Sequence, residues 1–242
     1  MLCFLSAGIS QAATTYIWSG GAGNGIYGDT NNWTVNGSSN GYYPQSSGDD
    51  AIIGEGVGTI TWSNQQAHFG ATGNIQLGSG NTLLCTTYAE TGDFQVNTVT
   101  LEGNAHLVFE STNAFGINND FTLNFGTFSA AEHGSWTATD TADFWTKNHT
   151  VSFTGTLDMD SLSGTGTIEL AAIKATQMGG NLVLDLSGLN IASNSQVKAS
   201  VTQVTENDIT RVLVNYETVP EPATATLGLL GLGALLLRRR RK

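Results

Sequence analysis

NIQLGSGNTLLC, Asn74 to Cys85, superimposes without a gap on TVTLEGNAHLVF, Thr98 to Phe109, at an offset of 24 positions. Ile75 falls on Val99, Leu77 on Leu101, Leu83 on Leu107 and Leu84 on Val108, with Ser79-Gly80-Asn81 over Gly103-Asn104-Ala105 at a turn. Apolar residues alternate with polar ones inside each segment, which is the period of a strand with one buried face. A unit that recurs at fixed spacing cannot bury that face alone and does so by stacking on its neighbour. One further step brings Leu123 and Phe125 into the same pattern, after which the spacing loosens. The repeat predicts an all-β chain, a short parallel β-solenoid or β-helix with two or three short strands per coil. A β-sandwich or jelly roll also produces short strands at such intervals and is the alternative.

Outward from the repeat the same texture continues. VSFTGTLDM from Val151, GTIEL from Gly166 and LVLDL from Leu182 alternate in the same way with less regular spacing. From Gln196 to Glu217 two alternating runs flank Thr205-Glu206-Asn207-Asp208, a hairpin signature that suits a cap on the open end of the core. No segment shows the periodicity of an amphipathic helix.

Upstream, Tyr16 to Ala51 reads differently. Trp18 and Trp33 bracket a tract rich in Gly and Asn, an arrangement in which two indoles shield one end of a β core while Gly and Asn take left-handed turn positions. Trp18, Gly20, Gly21, Asn32, Trp33, Pro44, Gly48 and Asp49 together resemble the opening of autotransporter-associated β-strand repeat proteins. That resemblance implies a solenoid start and carries no shared catalytic site.

The chain closes on VPEPATATLGLLGLGALLLRRRRK, Val219 to Lys242. Pro220, Glu221 and Pro222 break regular structure, residues 223–237 carry no charge, and Arg238, Arg239, Arg240, Arg241 and Lys242 follow. Fifteen residues rise about 22 Å as a helix, short of a hydrocarbon core of ~30 Å, so a single C-terminal transmembrane helix there depends on snorkelling arginines and local thinning. The cations stay on the cytoplasmic side as an anchor, leaving the preceding residues outside. The order of triplet, apolar run and basic end resembles a PEP-CTERM sorting segment of Gram-negative surface and extracellular-matrix proteins. It implies that Pro220, Glu221 and Pro222 are recognised by an integral-membrane exosortase, that the protein is transiently anchored in the inner membrane, and that the mature protein lacks residues after about Pro222.

Residues 1–12 end a secretory signal peptide in this reading, with an apolar run from Leu2 to Ile9 and small residues at Ser10 and Ala12 before a cut. The basic n-region is missing, which places the true initiator upstream or the assigned start too far downstream. The expected organisation is therefore 1–12 signal remnant, 13–218 all-β extracellular domain and 219–242 sorting segment. Cys3 falls in the signal and leaves Cys85, in an apolar string, as a buried small hydrophobe without a disulfide partner.

The formal net charge of −11 understates the domain, because up to Val219 there are 19 acidic residues against Lys147, Lys174, Lys198 and Arg211. Such a surface repels nucleic acid and favours cations, neutral extracellular polysaccharide or other surface proteins as partners. No cofactor is implied. His68, His106, His133 and His149 show no ligand spacing, and no nucleophile elbow is present. Asp158 and Asp160, two apart in the expected strand from Val151, are the candidate Ca²⁺ ligands, with Asp49 and Asp50 or Asp140 and Asp143 behind them. Tyr42, Tyr43, Trp136 and Trp145 stand in loop-like text as candidate sugar-stacking rings. These features predict an exported, non-enzymatic structural or adhesive protein, with a glycan-binding module as the alternative and a polysaccharide-acting enzyme third.

Overall fold

The computed structural model describes residues 13–63, 72–87, 92–117, 119–146, 148–174, 182–194 and 196–219. The alternating segments form sixteen strands: β1 (Thr15–Trp18), β2 (Trp33–Thr34), β3 (Asp50–Ile53), β4 (Thr59–Ser63), β5 (Thr72–Leu77), β6 (Thr82–Thr87), β7 (Gly92–Phe94), β8 (Val96–Leu101), β9 (His106–Ile117), β10 (Phe121–Phe128), β11 (Ser135–Thr146), β12 (Thr150–Leu157), β13 (Thr165–Lys174), β14 (Val183–Asn190), β15 (Val197–Glu206) and β16 (Ile209–Thr218). Two short 3₁₀ turns, Thr30–Asn32 and Met159–Ser161, interrupt them.

From β3 onward the chain passes between two sheets, advancing one strand each time. One sheet has the order β14-β12-β10-β8-β5-β3-β1-β2, the other β15-β16-β13-β11-β9-β6-β4, and β7 pairs with the second half of β9. Neighbours from β3 to β14 run parallel, while β1 with β2, β13 with β16, and β16 with β15 are antiparallel. Both sheets are therefore mixed, and neither closes on itself. The ladders from β3 to β14 are parallel, unlike the antiparallel strands of a jelly roll.

The 24-residue offset is the pairing register itself. Ala51 pairs with Ile75, Ile75 with Val99 and Val99 with Leu123 on the first sheet; Leu83 pairs with Leu107 on the second. Inward side chains consequently stack in columns, and Ile75, Leu77, Val99, Leu101, Leu107 and Leu123 are all buried. Each such burial contributes about 1.5–3 kcal/mol, and a one-residue slip would turn the whole set to solvent. The turns stack as well: Asn104 Oδ1 accepts the Ser79 hydroxyl at 2.6 Å and the Gly80 N–H at 2.7 Å.

The pattern loosens after Leu123 because the turns of the chain lengthen. Leu123 pairs with Phe153, 30 positions on, Val151 with Leu184, 33 on, and Trp136 with Ala171, 35 on. The extra residues enlarge the connections and the strands, β9 and β11 reaching 12 residues each, while the inward alternation survives.

Between the sheets runs a continuous series of rings. Trp18 meets Trp33 at 5.0 Å between centroids, Trp33 meets Tyr27 at 4.9 Å, and Tyr27 stacks on Trp62 at 4.4 Å. Phe94 follows Trp62 at 5.9 Å, then Phe109 at 4.9 Å, Trp136 at 5.6 Å and Phe153 at 6.5 Å. Offset and edge-on pairs of this kind add about 0.5–1.5 kcal/mol each beyond area burial.

The Trp-bracketed tract forms the first end of this core. Asp29 N-caps the Thr30–Asn32 turn, and the buried Asn32 side chain accepts from Ala22 N–H at 2.9 Å and donates to Asn24 Oδ1 at 2.8 Å and Ile26 C=O at 2.9 Å. Trp33 Nε1 donates to Tyr27 C=O at 2.6 Å. Gly25, at a φ of +64°, offers its C=O to Thr61 N–H while Tyr27 N–H reaches Thr61 C=O, so this loop pairs with the edge strand β4.

Among the described residues no helix is long and apolar enough to cross a membrane. The expected span at 223–237 and the signal remnant at 1–12 lie outside the described residues.

Candidate functional site

The described part of the chain ends in the expected hairpin, β15 and β16. Asn207 and Asp208 take φ of 51° and 62°, the pair of left-handed residues that a tight hairpin turn between right-twisted strands requires. β16 then runs between β13 on one side and β15 on the other, so its backbone is used on both edges. Arg211 forms an ion pair with Glu169 across the β13–β16 ladder.

Burial in β16 stops at Val214. Val212 and Val214 are buried, whereas Asn215, Tyr216 and Thr218 are half-buried and Glu217 is exposed. What holds the last residues is hydrogen bonding: Thr218 N–H donates to Gly164 C=O at 2.8 Å, Gly164 N–H donates to the Thr218 hydroxyl at 2.9 Å, and Val219 N–H donates to Gln196 C=O at 2.6 Å. A shallow groove of about 370 Å³ borders this end, lined by residues of β13, β15 and β16 that include Thr167, Lys198, Asn215 and Glu217. Pro220 is the next residue, and Pro220, Glu221, Pro222 and the Arg238–Lys242 anchor lie outside the described residues.

The described candidate sugar-stacking rings, Tyr42, Tyr43 and Trp136, differ in burial. Tyr42 is 58% exposed in its loop, but Tyr43 packs in part against the core. Trp136 is corrected from a loop platform to a core residue: it starts the inward pattern of β11 and is fully buried between Phe109 and Phe153. Trp145 stands in β11 opposite Gly116, its side chain outside the described part.

Asp158 and Asp160 do not share a strand face. β12 ends at Leu157; Asp158 caps the following 3₁₀ turn by accepting from Asp160 N–H at 3.2 Å, which turns the Asp158 carboxylate to a structural use. Asp49 likewise accepts the N–H groups of Gln45 and Ser46 at 3.2 and 3.1 Å, and Asp50 accepts from the Asn74 amide at 2.7 Å. Among the described residues no group of three or more His, Cys, Asp and Glu is placed to hold a metal ion. Cys85 is fully buried, and burial pushes its thiol well up, away from the thiolate.

Two polar pairs were hidden by sequence distance. His106 Nδ1 lies 2.8 Å from the Ser135 hydroxyl, 29 positions away, and His106 lies close enough to His133 to disfavour charge on it. Burial lowers both imidazoles below their ordinary value. Asp120 accepts Thr150 N–H at 2.7 Å and faces His149 at 3.2 Å, which hold its carboxyl below the usual range. Only the lateral stacking of strands brings these partners together.

Residues 218–242 match the PEP-CTERM protein-sorting motif. The match supports a PEP-CTERM protein and marks an exported chain that passes through a membrane-anchored stage in a Gram-negative bacterium and is processed by the membrane-associated exosortase. Neither the comparison with curated proteins nor that with solved structures finds a match.

Proposed function

We propose that the chain is a non-catalytic structural or adhesive protein of the cell surface or extracellular matrix. In this reading residues 13–218 are a short β-solenoid delivered to the exterior by a sorting segment at 219–242, after removal of a signal remnant at 1–12. The observation that carries it is the join between a laterally stacked β domain and a terminal sorting motif, with Thr218 shared by the two. Parallel strands two steps apart, stacked in a 24-residue register, support the solenoid architecture. The Trp-rich end, with Asn32 and Trp33 at its centre, supports the likeness to autotransporter-associated repeats, whose first turn it would form.

Once export is complete, the apolar run 223–237 and the basic tail 238–242 are dispensable in this reading, and the domain remains outside. Mass spectrometry of surface and matrix fractions tests it. The expected product ends near Pro222; a bulk population carrying the Arg238 to Lys242 peptide overturns processing. Retention on an immobilised neutral polysaccharide at millimolar sugar would instead favour the glycan-binding reading, with Tyr42 the exposed ring among the described candidates.

A further inference from the structure

We propose that the open half of β15, Ser200 to Glu206, is where two copies of this chain pair, strand against strand about a two-fold axis at Gln203. Four strands end the two sheets, and three of them are shielded. β2 is two residues long, β4 is paired by the loop at Ile26, and β14 carries a bulge between Asp185 and Gly188 that breaks its ladder. β15 is ten residues long and pairs with β16 in one unbroken register. Its other edge is what remains.

Half of that edge is closed and half is not. Ser193 Oγ accepts the Ala199 N–H at 2.9 Å and donates to the Ala199 C=O at 3.1 Å. The Asn194 side chain accepts the Val197 N–H at 2.7 Å, and its own N–H donates to the Val197 C=O at 2.8 Å. Alternate residues of an antiparallel strand turn their backbone groups to opposite edges, so this outward series continues through Val201, Gln203 and Thr205. No partner among the described residues meets the backbone groups of those three. The stretch Ser200 to Thr205, SVTQVT, is rich in β-branched residues and holds neither proline nor charge, the devices that keep an edge from pairing.

The register follows from the two boundaries of the open half. An antiparallel partner centred on Gln203 sets Val201 against Thr205 of the second copy and Gln203 against its own equivalent, each pair exchanging both backbone bonds. Sliding one way displaces Ser193 from Ala199; sliding the other sets Val201 against the turn at Asn207. The same register places Lys198, the one cation of β15, opposite Asp208 of the second copy with Glu206 of the second copy on the diagonal. Symmetry repeats that charge match on the other side of the axis, and no like charges face each other. Each copy offers one such edge, so the assembly closes at two. Every residue involved precedes Val219, which makes the proposal independent of the sorting reading.

The test follows the full chain in detergent by analytical ultracentrifugation over a concentration series, where a dimer that dissociates on dilution is expected. Gln203→Pro removes the N–H at the axis without touching the β16 ladder and is expected to weaken dimerisation about tenfold or more, with the unfolding midpoint unchanged. Gln203→Lys sets two cations face to face, is expected to weaken it about fivefold, and carries the comparison if the proline variant loses its fold. In a Cys3→Ser background, Gln203→Cys brings two Cα atoms to about 5.5 Å across the axis, within disulfide reach. It is expected to cross-link copies under mild oxidation, whereas Val183→Cys on β14 is not; Cys85 is buried and supplies no competing thiol. A monomer at every concentration, or equal cross-linking at both positions, overturns the proposal. So does a dimer that both Gln203 variants leave intact, the result that association through the apolar run 223–237 would give.

Discussion

At the amino-terminal end Trp18, Tyr27, Trp33 and Trp62 bury four large rings across the first strands, whereas at the carboxy-terminal end β15 exposes most of its side chains and Val183 of β14 is 52% exposed. The first end is closed by the hydrophobic effect, with polar groups such as Asn32 recruited to satisfy the backbone inside it. The second is closed by strand pairing near solvent. Burial contributes far more per residue than a net hydrogen bond, so the two closures differ in permanence. The first end is closed over fully buried rings, while the second buries only Val197, Val212 and Val214 of its hairpin and leaves Asn215 to Val219 half-buried or exposed.

The largest expected effect breaks the first end. Trp33→Ala should cost about 3–5 kcal/mol in denaturant unfolding, because it removes a fully buried indole and the contacts of Tyr16, Trp18 and Tyr27 with it. Tyr216→Ala, a half-buried ring at the other end, should cost about 1 kcal/mol or less under the same conditions. Equal losses would erase the contrast. Next in size, Asn32→Ala takes the partner of Ala22 N–H and one of the two donors to Ile26 C=O, the Asp29 N–H remaining, and should cost about 2–3 kcal/mol, again by denaturant midpoint.

Much of this was legible in the sequence, for local reasons. The gapless match of Ile75 and Leu77 with Val99 and Leu101 is lateral pairing written as an offset, and Asn207-Asp208 is turn chemistry read directly. Trp18 and Trp33 announced a capped end because Gly and Asn surround them. Trp136 misled because the residues before it, from Ser129 to Gly134, are turn-like, and only the strand that follows shows the indole pointing inward. Asp158 and Asp160 misled because strand alternation was extended three residues beyond Leu157, into a turn that the Asp158 carboxylate caps. The strands beyond Leu123 do not align at one offset in the sequence, since insertions change the spacing without changing the inward columns.

A smaller effect falls between the ends, on acidification. His106 and His133 are held below their ordinary value of 6.5 in the fold, so the unfolded chain binds protons first as pH falls. Stability is therefore complete above about pH 6.5 and declines from there toward the lowered folded values. Melting temperature should fall across that window, and the double replacement His106→Asn, His133→Asn should flatten the fall; a flat profile in the native chain would refute it. The smallest effect sharpens the second end. Asp208→Gly relieves a left-handed residue at the hairpin turn and should stabilise by about 0.4–1 kcal/mol, read as slower amide exchange across β15 and β16.

The unequal spacing between paired strands has a consequence for how the chain finds its fold. Ala51, Ile75, Val99 and Leu123 are separated by three identical steps, so during folding one such unit can dock in the place of the next with every inward side chain still inward. Such a shifted arrangement is a kinetic trap, since it satisfies local pairing and fails only at the ends. The longer turns that follow, and the indole-lined start that precedes, fit one position each. They act as the stops of a ruler, penalising every frame but one, and the irregularity that blurs the repeat in the sequence is what makes the repeat count correctly in space.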